Sequence, residues 1–184
     1  MTWRLVRTLS HRVATTCACL ALALFMTAAA TAQDAPHPLA AALVGSWSGT
    51  LEYRDYTTDR RVTLPTTLVV SSLEANVLTF DYTYDEGQGR FVRSSYVVTI
   101  TAVPSTYRVQ SRDGTTDSTF DASGLSDIRG GTGTVLLSGP GRENDRDVEV
   151  RTTVTITPST LTMRRDTRRQ DQEWQFRNQY TFTR

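Results

Sequence analysis

From Gly45 onward, apolar and polar side chains alternate with a period of two. Trp47, Gly49, Leu51 and Tyr53 share one parity against Ser48, Thr50, Glu52 and Arg54, the pattern of a strand with one buried face. The same alternation returns at Val62, Leu64, Leu68 and Val70, at Leu78, Phe80, Tyr82 and Tyr84, and at Val92, Tyr96, Val98 and Ile100. Shorter runs follow at Tyr107 and Val109 and, beyond a glycine-rich middle, at Val135 and Leu137. Val148, Val150, Val154 and Ile156 come next, then Leu161 and Met163, and finally Trp174, Phe176, Tyr180 and Phe182. Turn signals separate the runs: DEGQG at 85–89, SRDG at 111–114, SGPG at 138–141 and TPS at 157–159.

Short strands in succession with tight connections predict antiparallel up-and-down pairing. After Leu43 no apolar residues recur at helical spacing, so no helix is available to cover a sheet. The sheet must bury one face by folding onto itself, as a sandwich or a closed barrel. Segments 98–109 and 154–163 resemble one another, and we read them as two hairpins with the same turn solution.

The chain before this region has a different character. Arg4, Arg7 and Arg12 precede an apolar run, CACLALALFM at 17–26, which ends in small residues with Ala30-Thr31-Ala32 at the close. A basic start, a short apolar stretch and a small-x-small site predict a signal peptide over 1–32, cleaved after Ala32. The run is too short for a spanning helix, which needs about 18 or more apolar residues, so no stable membrane span is expected after its removal. A lead-in segment, 33–42, then precedes a barrel domain over 43–184. PLAAAL at 38–43 predicts a short turn of helix there, because proline is favoured at a first helical position.

Cleavage narrows the chemistry. Cys17, Cys19 and His11 leave with the leader, and His37 is the remaining histidine. All twenty basic residues are arginines, and loss of Arg4, Arg7 and Arg12 leaves seventeen against nineteen acids. A nearly neutral surface argues against nucleic acid as a partner. Stability must come from burial, since no disulfide is possible. Nothing in the pattern specifies an oligomeric state.

Gly45-Ser46-Trp47 resembles the G-x-W signature that begins the first strand in the calycin superfamily of lipocalins, fatty-acid-binding proteins and related secreted bacterial lipocalin-like domains. The resemblance, which rests equally on the strand succession over 43–184, implies an all-β fold: a single antiparallel up-and-down β-barrel of about 8–10 strands. It also implies a structural plug at one barrel end, with Gly45 permitting close approach, Trp47 filling the floor and an arginine packed over the indole. Arg184 is preferred to Arg177 for that role because it shares parity with Trp174, Phe176 and Phe182. The chain departs from the superfamily in four respects. A T-D-Y motif is not recognisable, the connection at 57–60 is too short for a helical lid, 177–180 has the wrong spacing for the carboxylate-binding R-x-Y, and no histidine is placed to hold haem.

Other constellations point to no catalysis. GSWSG at 45–49 has tryptophan where a hydrolase elbow needs serine, and without histidine, lysine or cysteine the barrel has no conventional base for a nucleophile. We therefore expect no enzyme, no catalytic residue, no cofactor and no metal. Asp113, Asp117, Asp121 and Asp127 lack the spacing of a calcium loop and read as loop solvation. RGGTGT at 129–134 has no following helix to cradle phosphate. RRDTRR at 164–169 reads as a solvated cap on the last hairpin.

What remains is a small, mostly apolar molecule bound inside the barrel. Tyr53, Phe80, Tyr82, Tyr84, Tyr96 and Phe176 share the inward parity, as do Thr66, Thr152, Arg165 and Asn178. Arg165 and Asn178 either reach an open cavity, where they would fix a polar end of the ligand, or stand at the rim in solvent. The alternative function is a structural or interaction module with a filled barrel, acting through loops or exposed arginines.

Overall fold

Ser48 stands opposite Thr183 and Tyr53 opposite Asn178, so the first strand hydrogen-bonds to the last and the sheet closes on itself. The computed structural model describes residues 35–55 and 57–184; the predicted leader, with both cysteines, lies outside them. In chain order the elements are α1 (Pro38–Leu43), β1 (Gly45–Arg54), β2 (Arg61–Glu74), β3 (Val77–Asp85), β4 (Phe91–Thr101), β5 (Thr106–Ser111), β6 (Asp117–Ser123), a 3-10 turn (Leu125–Asp127), β7 (Gly133–Glu143), β8 (Arg146–Ile156), β9 (Thr160–Arg168) and β10 (Gln175–Thr183). Each strand pairs antiparallel with the next, and β1 with β10, in one closed ten-stranded up-and-down barrel. Closure pairs every strand with two neighbours, and the shortest seam is β6–β7, where Asp121–Ser123 face Leu136–Ser138.

One end of the barrel is packed solid. Helix α1 starts with Pro38 at its first position and is capped by His37, whose Nδ1 accepts from Leu39 N at 3.1 Å. Its Leu39 and Leu43, together with Trp47, join Leu68, Ile156, Leu161 and Phe182 among the most deeply buried side chains. The Trp47 Nε1–H donates to Leu43 O at 2.9 Å, so the indole satisfies its polar edge within the floor it fills. Outward positions carry Thr, Ser and charged residues, as in β8 with Glu149, Arg151, Thr153 and Thr155. Among the described residues, no helix is long and apolar enough to cross a membrane.

Three local expectations give way. Segment 138–141 is not a turn: β7 runs through it, and the reversal is at Asn144 and Asp145, both with positive φ, which makes a two-residue hairpin between Glu143 and Arg146. Its glycines serve packing instead. A Cβ on Gly141 would stand 2.5 Å from Val150 Cγ2, and one on Gly139 would stand 3.1 Å from Phe120 Cδ1. Pro140 is tolerated because β6 pairs with β7 only as far as Ser138.

The second correction concerns the middle aspartates. Asp117 and Asp121 belong to strand β6, on the face opposite buried Phe120 and Ala122, and Asp117 accepts from Arg108 Nη2 at 2.6 Å. Asp113 lies in the β5–β6 turn and Asp127 in the 3-10 turn.

The third concerns 164–169. It is not a solvated tip, because β9 continues to Arg168 and buries Asp166 and Thr167 to 4% and 5% exposure. Asp166 is buried on the outer face beneath Arg164 and Arg151, which approach it at 3.0 and 3.4 Å. Mixed charges here pair along the wall and so extend the strand.

Candidate functional site

Above the packed floor the interior opens into a cavity of about 290 Å³. Strands β3, β4 and β10 point large rings inward (Phe80, Tyr82, Tyr96, Tyr180), and the small side chains of Thr116, Ser118 and Thr152 are also in the lining. Phe120 on β6 and Tyr107 on β5 complete the aromatic lining.

The rings form a connected cluster. Tyr82 stacks on Tyr84 with centroids 5.9 Å apart, meets Tyr96 edge-on at 6.0 Å and lies 5.1 Å from Tyr180. Tyr180 stacks in turn on Phe182 of the floor at 5.7 Å, so the cavity wall is continuous with the core. The Tyr84 and Tyr180 hydroxyls are 2.9 Å apart, and Ser94 Oγ lies 3.3 Å from the Tyr84 hydroxyl. Burial pushes the phenols of Tyr82, Tyr84, Tyr107 and Tyr180 up, because a phenolate in this interior would lose its hydration. These side chains remain neutral hydroxyls at physiological pH.

The polar part of the lining lies across β8, β9 and β10. Arg165 stands between Thr152 and Asn178 in the strand register, and all three line the cavity. Asn178 reaches this position through a β-bulge between Phe176 and Asn178, at Arg177, which shifts β10 by one residue against β9. The bulge also moves Phe176. It sits opposite Asp166 on the outer face, stacked by Arg61 at 4.1 Å and Arg164 at 5.5 Å. Phe176 is therefore not part of the interior, although its parity predicts that it is. Trp174 is likewise outside the lining, with the guanidinium carbons of Arg151 and Arg168 at 4.4 and 4.6 Å from its ring.

Among the residues predicted for the interior, the structure brings Phe80, Tyr82, Tyr96, Arg165 and Asn178 together around the cavity. Tyr84 borders it through Tyr82 and Tyr180. Tyr53, opposite Asn178 in the ladder, is half-buried outside the lining. Tyr107, Ser118 and Phe120 line the cavity without having been expected there. The signal for β6 was present as Ser118, Phe120 and Ala122 alternating with Asp117, Thr119 and Asp121, but a single ring made the run weak. Toward the other end of the strands, Glu143 meets Arg177 at 3.4 Å and accepts from Thr167 Oγ1 at 3.2 Å.

No family model matches the chain, and no curated protein matches its sequence. Solved structures do resemble it. The crystal structure of Rv2717c from M. tuberculosis has a TM-score of 0.57 at 16% identity, covering 82% of this chain and 99% of that one. The S-type phycobiliprotein lyase CPES from Guillardia theta has a TM-score of 0.53 at 10% identity, covering 78% and 88%. At these identities the likeness is one of fold, a closed antiparallel β-barrel.

Proposed function

We propose that this protein is an exported carrier that holds one small, mostly apolar molecule inside its barrel. The observation that carries the reading is the cavity of about 290 Å³, walled by aromatic rings with a few polar groups at one side. A site of that composition is how proteins bind small ligands, and its volume, just below the usual ~300–1,000 Å³, suits a small one. An open interior speaks for a carrier over a filled interaction module. Export rests on the basic start, the apolar run and the Ala30-Thr31-Ala32 site.

A lyase of like fold raises the question of catalysis. Here the cavity offers neutral phenols, small hydroxyls, an asparagine and a guanidinium, and none of these is a base near neutral pH. His37 is engaged in capping α1 at the closed end. Binding without turnover is the reading these residues support.

The test is occupancy. Native mass spectrometry of protein recovered after export, followed by calorimetric titration with fatty acids, isoprenoids and flavonoid-like compounds, should give a one-to-one complex at micromolar concentration. If no compound binds and no adduct is carried through purification, the carrier reading fails. Trp174 is unsuited as an emission reporter because it lies outside the cavity lining.

A further inference from the structure

The tyrosine hydroxyls inside the barrel differ in what they bond. Those of Tyr84 and Tyr180 lie 2.9 Å apart and satisfy one another. Those of Tyr82 and Tyr107 have no hydrogen-bond partner among the described residues, although the two side chains are only 8% and 6% exposed. Neither oxygen is among the buried side-chain atoms that are sealed off without a partner, so both open onto the cavity that their residues line. Burial keeps the two phenols protonated, and each therefore presents an O–H donor to whatever fills the space. A buried polar group is bonded or it costs binding energy. An occupant that shields these donors from water and returns no acceptor is penalised for it.

Resting on the carrier reading above, we propose that the occupant is a small uncharged aromatic compound whose carbonyl oxygen accepts from the Tyr82 and Tyr107 hydroxyls, with its ring against Phe80, Tyr96 and Phe120. A carbonyl oxygen has two lone pairs and can take a hydrogen bond from each phenol. The three rings are in the same lining, and ring-on-ring contact adds to the area buried. A volume of about 290 Å³ suits one or two fused rings better than a long acyl chain. Arg165 is also in the lining but already has a partner within the protein, so its charge does not call for an anionic occupant. An ionised compound would have to shed its hydration among uncharged rings and hydroxyls.

1-Tetralone and tetralin share a bicyclic frame and differ by a carbonyl in place of a methylene. Calorimetric titration with both should be run on the purified protein, on Tyr82→Phe, on Tyr107→Phe and on the double variant. Comparing the ketone-to-tetralin affinity ratio between proteins cancels the different hydration of the two compounds. That ratio should fall about fivefold for each hydroxyl removed, the scale of one neutral hydrogen bond. Neither hydroxyl bonds within the fold, so the substitutions remove no hydrogen bond of the protein itself. In the unaltered protein, the infrared carbonyl band of bound tetralone should stand at its position in a hydrogen-bonding solvent. The cationic 1-aminotetralin and the anionic tetralin-1-carboxylate should both bind more weakly than the ketone. An unchanged ratio in the folded double variant, or a carbonyl band at its position in an apolar solvent, overturns the role of the hydroxyls and leaves the carrier reading standing. So does binding of tetralin without tetralone, or of either charged analogue at least as tightly as the ketone. Failure of all four compounds and of the broader apolar panel overturns both. The infrared measurement uses the unaltered protein, so it decides the matter even where a variant does not fold.

Discussion

The guanidinium of Arg184 lies 4.1 Å from the centre of the Trp47 ring. The same side chain donates to Pro158 O at 2.7 Å, Val44 O at 2.8 Å and Ala42 O at 3.3 Å. One residue thus ties the end of the chain to the β8–β9 turn, to the start of β1 and to α1. Gly45, at φ +133, leaves the room this requires, since a Cβ there would stand 3.1 Å from Arg184 Nη1.

Trp47→Ala should lower stability by about 3–5 kcal/mol, the scale for emptying a large buried aromatic site. Arg184→Ala removes a cation–π contact and three carbonyl partners near the surface and should cost about 1–2 kcal/mol. Urea unfolding of both variants measures this. A neutral Trp47→Ala would show that the closed end does not depend on its plug.

Gly49→Ala should disrupt barrel closure. An added Cβ would stand 1.9 Å from Thr181 O and 2.9 Å from Phe182 Cα, and both are backbone atoms that cannot move without opening the β1–β10 seam. The expected cost is at least about 1–3 kcal/mol, as for other overpacked sites. Hydrogen exchange should show the loss concentrated in β1 and β10, and unchanged protection there would contradict the closure geometry.

The strands were legible because a barrel with one buried face imposes period two, and the closed end was legible through residues of constant parity such as Trp47, Phe182 and Arg184. Parity failed at Arg177, where a bulge without glycine or proline to announce it reverses the sense of β10. Asn178 keeps its inward place beyond the bulge, while Phe176 before it turns outward. Glycine misled at 138–141, since the same residue serves turns and tight packing, and Gly139 and Gly141 are there for the second reason. The cavity itself was not legible, because its volume depends on how side chains from strands far apart in the sequence fill the interior together.

Alkaline titration should divide the tyrosines. The phenols of Tyr82, Tyr107 and Tyr180 are raised above the ordinary value of 10.0 by burial. A group whose folded value exceeds its unfolded one contributes stability that is complete below the unfolded value and is lost as pH rises toward the folded one. Stability should therefore hold up to about pH 10 and fall above it. Absorbance of phenolate and circular dichroism, recorded together, should show these three ionising only as the barrel opens. Their ionisation in a fully folded barrel would mean that the interior is wetter than the packing indicates.

The export proposal predicts a mature chain that begins at Gln33. Intact-mass measurement on protein from the periplasm or the medium is the direct check. Retention of residues 1–32 would refute cleavage after Ala32.

Phe176 offers the sharpest separation of parity from structure. If it faced inward, Phe176→Ser would enlarge the cavity and weaken any occupant. In the structure it lies on the outer face between Arg61 and Arg164, so the substitution should leave the affinity for any apolar compound that binds the cavity within about twofold, as expected of sites that share no partner. The cost should appear instead as a small loss of stability, about 1 kcal/mol, from removed cation–π contacts at a half-buried site on the outer face. Tyr96→Ala is the counterpart, because it removes a ring from the lining and should weaken the same compound severalfold through lost ring contact. Comparing the two variants in one titration decides the placement of the bulge: a large effect of Phe176→Ser with none from Tyr96→Ala would put the register of β10 one residue away from the arrangement described.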